Sequence, residues 1–119
     1  MIPKKFDAKY DYDYRLDLVN IEIDKDYIHG MSVYLDVGVY LDFDENYLPV
    51  NLEIVDAAGR LGIEKEYLVN PDGQVNIVIS DELIKVEVIF DIKKQNECLQ
   101  LNVVNNFNIP NTETNFALV

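Results

Sequence analysis

From Met31 to Phe43 every second residue is apolar: Met31, Val33, Leu35, Val37, Val39, Leu41 and Phe43. Residues two apart share one face of a β-strand, so this period predicts sheet with one buried face. Asp36 and Gly38 interrupt the opposite face and predict a kink or strand break there. A second alternation, Val50, Leu52 and Ile54, follows the polar stretch Asp44-Glu45-Asn46 and predicts a hairpin partner for Val39, Leu41 and Phe43, with Asp42, Asp44, Asn51 and Glu53 on the wet side. Upstream, Tyr10, Tyr12 and Tyr14 alternate with Asp11, Asp13 and Arg15, and after Asp17 the apolar phase shifts by one to Val19, Ile21 and Ile23. A one-residue shift exchanges the two faces, so two strands are predicted at about 6–13 and 17–24, joined by a tight turn.

Beyond Gly59-Arg60-Leu61-Gly62 the pattern predicts one short helix near residues 62–68, then a turn at Asn70-Pro71-Asp72-Gly73, where Gly73 is free to take positive φ. Three further alternations follow: Val75, Ile77, Ile79; then Ile84, Val86, Val88, Phe90, Ile92; then, after a turn at Gln95-Asn96-Glu97, Leu99, Leu101, Val103. They read as an antiparallel meander with one wet face. The tail from Asn105, rich in asparagine and threonine, is expected to form at most a short terminal strand. The fold class is therefore β-rich α+β: a mostly antiparallel sheet of about seven or eight strands with one short helix. The whole of 1–119 reads as a single domain, a hairpin unit at 10–62 extended by a meander and tail at 74–119.

Composition narrows the functional classes. The chain is 49% apolar yet has no long apolar run, and it has one cysteine, which excludes an internal disulfide. No apolar segment follows Lys4-Lys5, so no signal peptide is expected, and a cytoplasmic location without membrane attachment is. Twenty-two acids against ten bases give a formal net charge of −12. Such a surface repels phosphate backbones, which argues against nucleic acid, and suits a basic protein partner.

Tyr12-Asp13, then Asp17-Leu18-Val19-Asn20-Ile21, then Gly38-Val39-Tyr40-Leu41-Asp42-Phe43-Asp44-Glu45, closed by Leu52-Glu53-Ile54-Val55-Asp56-Ala57-Ala58, is a recognisable series. Over residues 10–62 it resembles the family catalogued as domain of unknown function 2283. It departs from that pattern at Ala58, where the family usually has serine, and in the added strands after residue 73. The resemblance implies a fold and no activity. Some short members of that family look like the acidic halves of small gene pairs with a basic, toxin-like partner.

Candidate chemistry is sparse. Asp42, Asp44, Asn46 and Glu53 fall at the first, third, fifth and twelfth positions of a calcium-loop template. Tyr47 stands where that template needs glycine, and strands rather than helices flank it, so solvated acids on a hairpin are the expected reading. His29, the only histidine, lies three residues before Ser32. It cannot form a zinc site with Cys98 alone, and no Gly-x-Ser-x-Gly elbow supports a nucleophile. The tyrosines alternate with aspartate, the wrong company for nucleic-acid stacking, and are expected to form cross-strand pairs. The function expected is a non-enzymatic interaction or structural module, self-associating as a homodimer, with a basic protein as partner and no cofactor. The alternative is a carboxylate-based metal-binding protein or enzyme with its site around the 42–56 hairpin. Convergence of Asp13, Asp42, Asp44, Glu53 and Asp56 in one pocket would favour that alternative.

Overall fold

The computed structural model describes residues 3–93 and 95–119. Among these residues nine strands form one sheet: β1 (Lys4–Asp13), β2 (Leu18–Ile23), β3 (His29–Asp36), β4 (Val39–Asp44), β5 (Pro49–Val55), β6 (Asp72–Ile79), β7 (Leu83–Ile92), β8 (Gln95–Val104) and β9 (Thr112–Leu118). Their spatial order is β3-β4-β5-β2-β1-β9-β6-β7-β8. Every pairing is antiparallel except β1 with β9, which is parallel. The β-rich class and short helix agree with the alternation, and the sheet has one or two strands more than it suggested.

The sheet curls until its two end strands, β3 and β8, come back into contact, so one face becomes a continuous core. The alternating positions fill it as their period requires. Val19, Ile21, Val39, Leu41, Phe43, Val50, Leu52, Val75, Ile77, Ile84, Val88 and Phe116 are all fully buried. The long run from Met31 breaks at Val37 and Gly38, where Gly38 turns the chain with φ of 77°. That turn takes Val37 off the common face and leaves it 72% exposed.

Four expectations shift in position. The α-helix, α1, is Ala57–Leu61, earlier than 62–68, and only a 3-10 turn at Lys65–Leu68 lies in the expected window. Gly73 takes no positive φ; it lies within β6, where a Cβ would meet the Ile89 carbonyl oxygen at 2.5 Å. Close backbone approach explains this glycine better than turn geometry. The β7–β8 connection turns at Lys93, with φ of 52°, so Gln95, Asn96 and Glu97 already belong to β8. The tail forms the seven-residue β9, which sits in the middle of the sheet and joins β1 to β6.

Candidate functional site

Side chains alternate across each strand, so the outer face of the sheet can be read in rows from the strand register. One row runs Ser32, Asp42, Asn51, Glu22, Lys9 across β3, β4, β5, β2 and β1; the next runs Tyr34, Tyr40, Glu53, Asn20, Asp11. A third crosses β9, β6, β7 and β8 as Asn115, Asn76, Glu87, Gln100.

In the first row the Ser32 hydroxyl donates to Asp42 Oδ1 at 2.6 Å, and Asn51 Nδ2 donates to Asp42 Oδ2 at 3.1 Å. His29 Nε2 lies 3.1 Å from Ser32 Oγ and 4.0 Å from Asp42 Oδ1. With its proton given to Asp42, Ser32 can only accept from His29. A nucleophilic triad needs histidine between serine and carboxylate, taking the hydroxyl proton. Here serine is in the middle, so the cluster is a surface hydrogen-bond chain. Beside it, Tyr27 donates its hydroxyl to Glu22 Oε2 at 2.6 Å. Burial, with that carboxylate, raises the Tyr27 phenol to about 12.

The acids of the calcium template part company. Asp42 faces outward on β4, while Asp44 Oδ1 accepts the Asn46 and Leu48 backbone N–H groups at 2.8 and 2.9 Å and so shapes the hairpin turn. Tyr47 takes the left-handed conformation there, with φ of 63°, although it is not glycine. Asn46 belongs to that turn, and Glu53 lies on β5 in the next row. Asp13 ends β1 and accepts the Leu16 N–H at 3.0 Å, and Asp56 precedes α1. The five acids do not share a pocket. Among the described residues no group of three histidine, cysteine or acidic side chains is placed to hold a metal ion. Cys98 is exposed on β8; burial of its thiol, then Glu87, raises its pKa.

The buried carboxylate is Asp17, 8% exposed, in the β1–β2 turn. It accepts the Tyr12 hydroxyl at 2.6 Å and the Ala58 N–H at 2.9 Å, with Gly59 N–H at 3.4 Å. Asp56, at the helix's own cap position, is left-handed and makes no side-chain cap bond, so Asp17 caps α1 from 41 residues away. Burial, then the hydrogen bond to Asp17, raises the Tyr12 phenol well above its ordinary value. Arg60, at the other end of α1, donates to Asp36 Oδ2 at 3.2 Å, to the Val55 carbonyl at 2.9 Å and to the Val37 carbonyl.

The tyrosines serve separate local contacts, and Tyr12 and Tyr14 meet edge to face with centroids 6.3 Å apart. Tyr10 donates to the Leu68 carbonyl at 2.6 Å and packs edge-on against Phe90, and Tyr14 donates to Glu66. Tyr34 and Tyr40 form a cross-strand aromatic pair of the general kind expected, with ring centroids 5.3 Å apart. Three lysines cover aromatic rings: Lys25 on Phe6, Lys65 on Tyr14 and Lys93 on Tyr67. On the third row Asn76 Nδ2 and Gln100 Nε2 both donate to Glu87, beside an open groove of about 540 Å³. Val78, 41% exposed, and Leu83 line one end of that groove, and Val104, 55% exposed, is the cross-strand partner of Leu83. Ile89 lies beyond Glu87 beside Gln74 and Cys98, so Val78, Ile89 and Val104 do not form one patch.

The chain is 29% identical over 108 residues to a Methanosarcina mazei protein described as a "putative hypoxanthine phosphoribosyltransferase", a match covering 87% of this chain and 86% of that protein. No protein-family model and no solved structure matches the chain. No helix among the described residues is long and apolar enough to cross a membrane.

Proposed function

We propose that the protein is a non-enzymatic interaction module whose acidic outer sheet face receives a basic protein, and that it self-associates. One observation carries the reading. The chain has 22 acids and 10 bases, yet among the described residues only two of those bases form ion pairs, Lys9 with Asp24 and Arg60 with Asp36. Most carboxylates are therefore solvated and uncompensated, spread over open sheet rather than gathered into a cleft. A surface of this kind attracts a cationic partner over long range and gives a carboxylate-based reaction no enclosed place to occur.

The name of the Methanosarcina protein points instead to phosphoribosyl transfer. A phosphoribosyl group brings phosphate, which calls for a glycine-rich cradle or free cations. The Gly59-Arg60-Leu61-Gly62 segment forms α1 and its cap, and its arginine is engaged by Asp36 and two carbonyls, so this segment offers neither. The deciding experiment is affinity capture from the native cell, followed by titration of the purified partner at increasing salt. A basic partner whose affinity falls steadily with salt is the expected result. Phosphoribosyl transfer to hypoxanthine by the purified chain, measured in parallel, would replace the reading.

A further inference from the structure

We infer that the Tyr34–Tyr40 pair and Glu53 form a docking point for an arginine side chain of that basic partner, an inference that rests on the reading above and locates it. Tyr34, on β3, is 53% exposed and meets the ring of Tyr40, on β4, edge to face. Tyr40 and Glu53 are direct partners across the β4–β5 ladder, with side chains on the same outer face. Directly opposed side chains in a ladder leave Cβ atoms ~5 Å apart, close enough for one planar group to touch both.

What distinguishes this place is the missing cation. Lys25, Lys65 and Lys93 cover other rings of the molecule. Among the described residues no cation covers Tyr34 or Tyr40, neither hydroxyl has a hydrogen-bond partner, and Glu53 has neither hydrogen bond nor ion pair. Arg60 is engaged by Asp36, Val37 and Val55, and Lys9 by Asp24. An aromatic face with an open carboxylate beside it, on a chain of net charge −12, complements a guanidinium. Arginine is favoured over lysine because its plane lies flat on a ring while its fork meets a carboxylate in two hydrogen bonds. Asp42 and Glu22, one row away, give the next basic residue of an extended segment a second counter-charge.

The test uses two synthetic peptides of equal charge, an arginine–serine repeat and a lysine–serine repeat, titrated into the full chain at low ionic strength and followed by amide chemical shifts. The arginine peptide should shift the outer residues of β3, β4 and β5. It should bind at least about threefold tighter than the lysine peptide, the scale of one exposed cation–π contact. Tyr34→Ala and Glu53→Gln should each weaken it by about threefold or more, whereas Asp91→Asn, an equal charge change on β7, should leave it within about twofold. Circular dichroism of each variant confirms the fold. Shifts centred elsewhere, equal binding of the two peptides, or equal losses in Glu53→Gln and Asp91→Asn would overturn the inference and leave the acidic-surface reading standing. Failure of both peptides to bind would remove the two together.

Discussion

Asp17 shows how much one residue can do that local pattern does not reveal. The phase shift around it was legible as a turn, because alternation reports which face a residue takes. Its partners were not, since Ala58 and Gly59 lie 41 and 42 residues further on and a strand period says nothing about what meets across a curled sheet. Asp17 also holds the left-handed conformation, φ 53°, which aspartate tolerates better than most residues. Removing its carboxylate strands the buried Ala58 N–H and frees the half-buried Tyr12 hydroxyl, and charged hydrogen bonds of this kind are worth ~1.5–3 kcal/mol. Asp17→Ala should therefore lose about 2–3 kcal/mol in a denaturant melt, with the α-carbon strain added. Asp17→Asn, which keeps the turn and one acceptor oxygen, should lose clearly less. Equal losses in the two variants would show that the charged carboxylate, which both lack, outweighs the turn conformation that asparagine keeps. That tyrosines would pair across strands was readable from their alternation, but that Tyr34 meets Tyr40 with no cation from the described residues over either ring emerges only from the folded sheet.

At the scale of elements, strand after strand was visible because one face is buried and the other wet along the same run. The exceptions have physical causes. α1 was displaced because five residues are too few to show an amphipathic stripe, and the helix there depends on Asp17's cap instead. β9 was read as tail because its inward positions are mixed: Thr114 is buried with an unpartnered hydroxyl, Phe116 is fully buried and Ala117 is outward and small. Polar composition argued for loop, but two-sided pairing won. β9 hydrogen-bonds β1 on one side and β6 on the other, so it is the seam between the β1–β5 half and the β6–β8 meander. Phe116→Ala should then cost as much as Phe43→Ala, ~3–5 kcal/mol each, since both rings are fully enclosed. Chemical denaturation of the two variants checks this. A loss under about 1 kcal/mol for Phe116→Ala alone would mean that β9 is docked loosely on a sheet held together without it.

For the whole molecule, charge sets two dependences of opposite sign. Twenty-two acids confined to a Cα radius of gyration of 13.6 Å repel one another, and only two lysine or arginine ion pairs offset them among the described residues. Added salt screens that repulsion over a distance of ~8–10 Å near physiological strength. Thermal stability should therefore rise from low to moderate salt, while affinity for a basic partner falls. The proposed self-association would follow stability, because two subunits of net charge −12 meet more readily once screened. The surface proposed for it is Val78 and Leu83 at the groove with Val104 across the strand from Leu83; Ile89, separated by Glu87, stands outside it. A two-fold pair built there should scatter with a radius of gyration of roughly 18 Å, against about 14 Å for the single chain. Small-angle scattering over a range of concentration and salt decides between them. The larger value should appear as both increase, and Val104→Glu, which places a charge at the centre of the contact, should return the smaller one. A wild-type chain that keeps the smaller radius at every concentration and salt is a monomer, and its acidic face then acts alone.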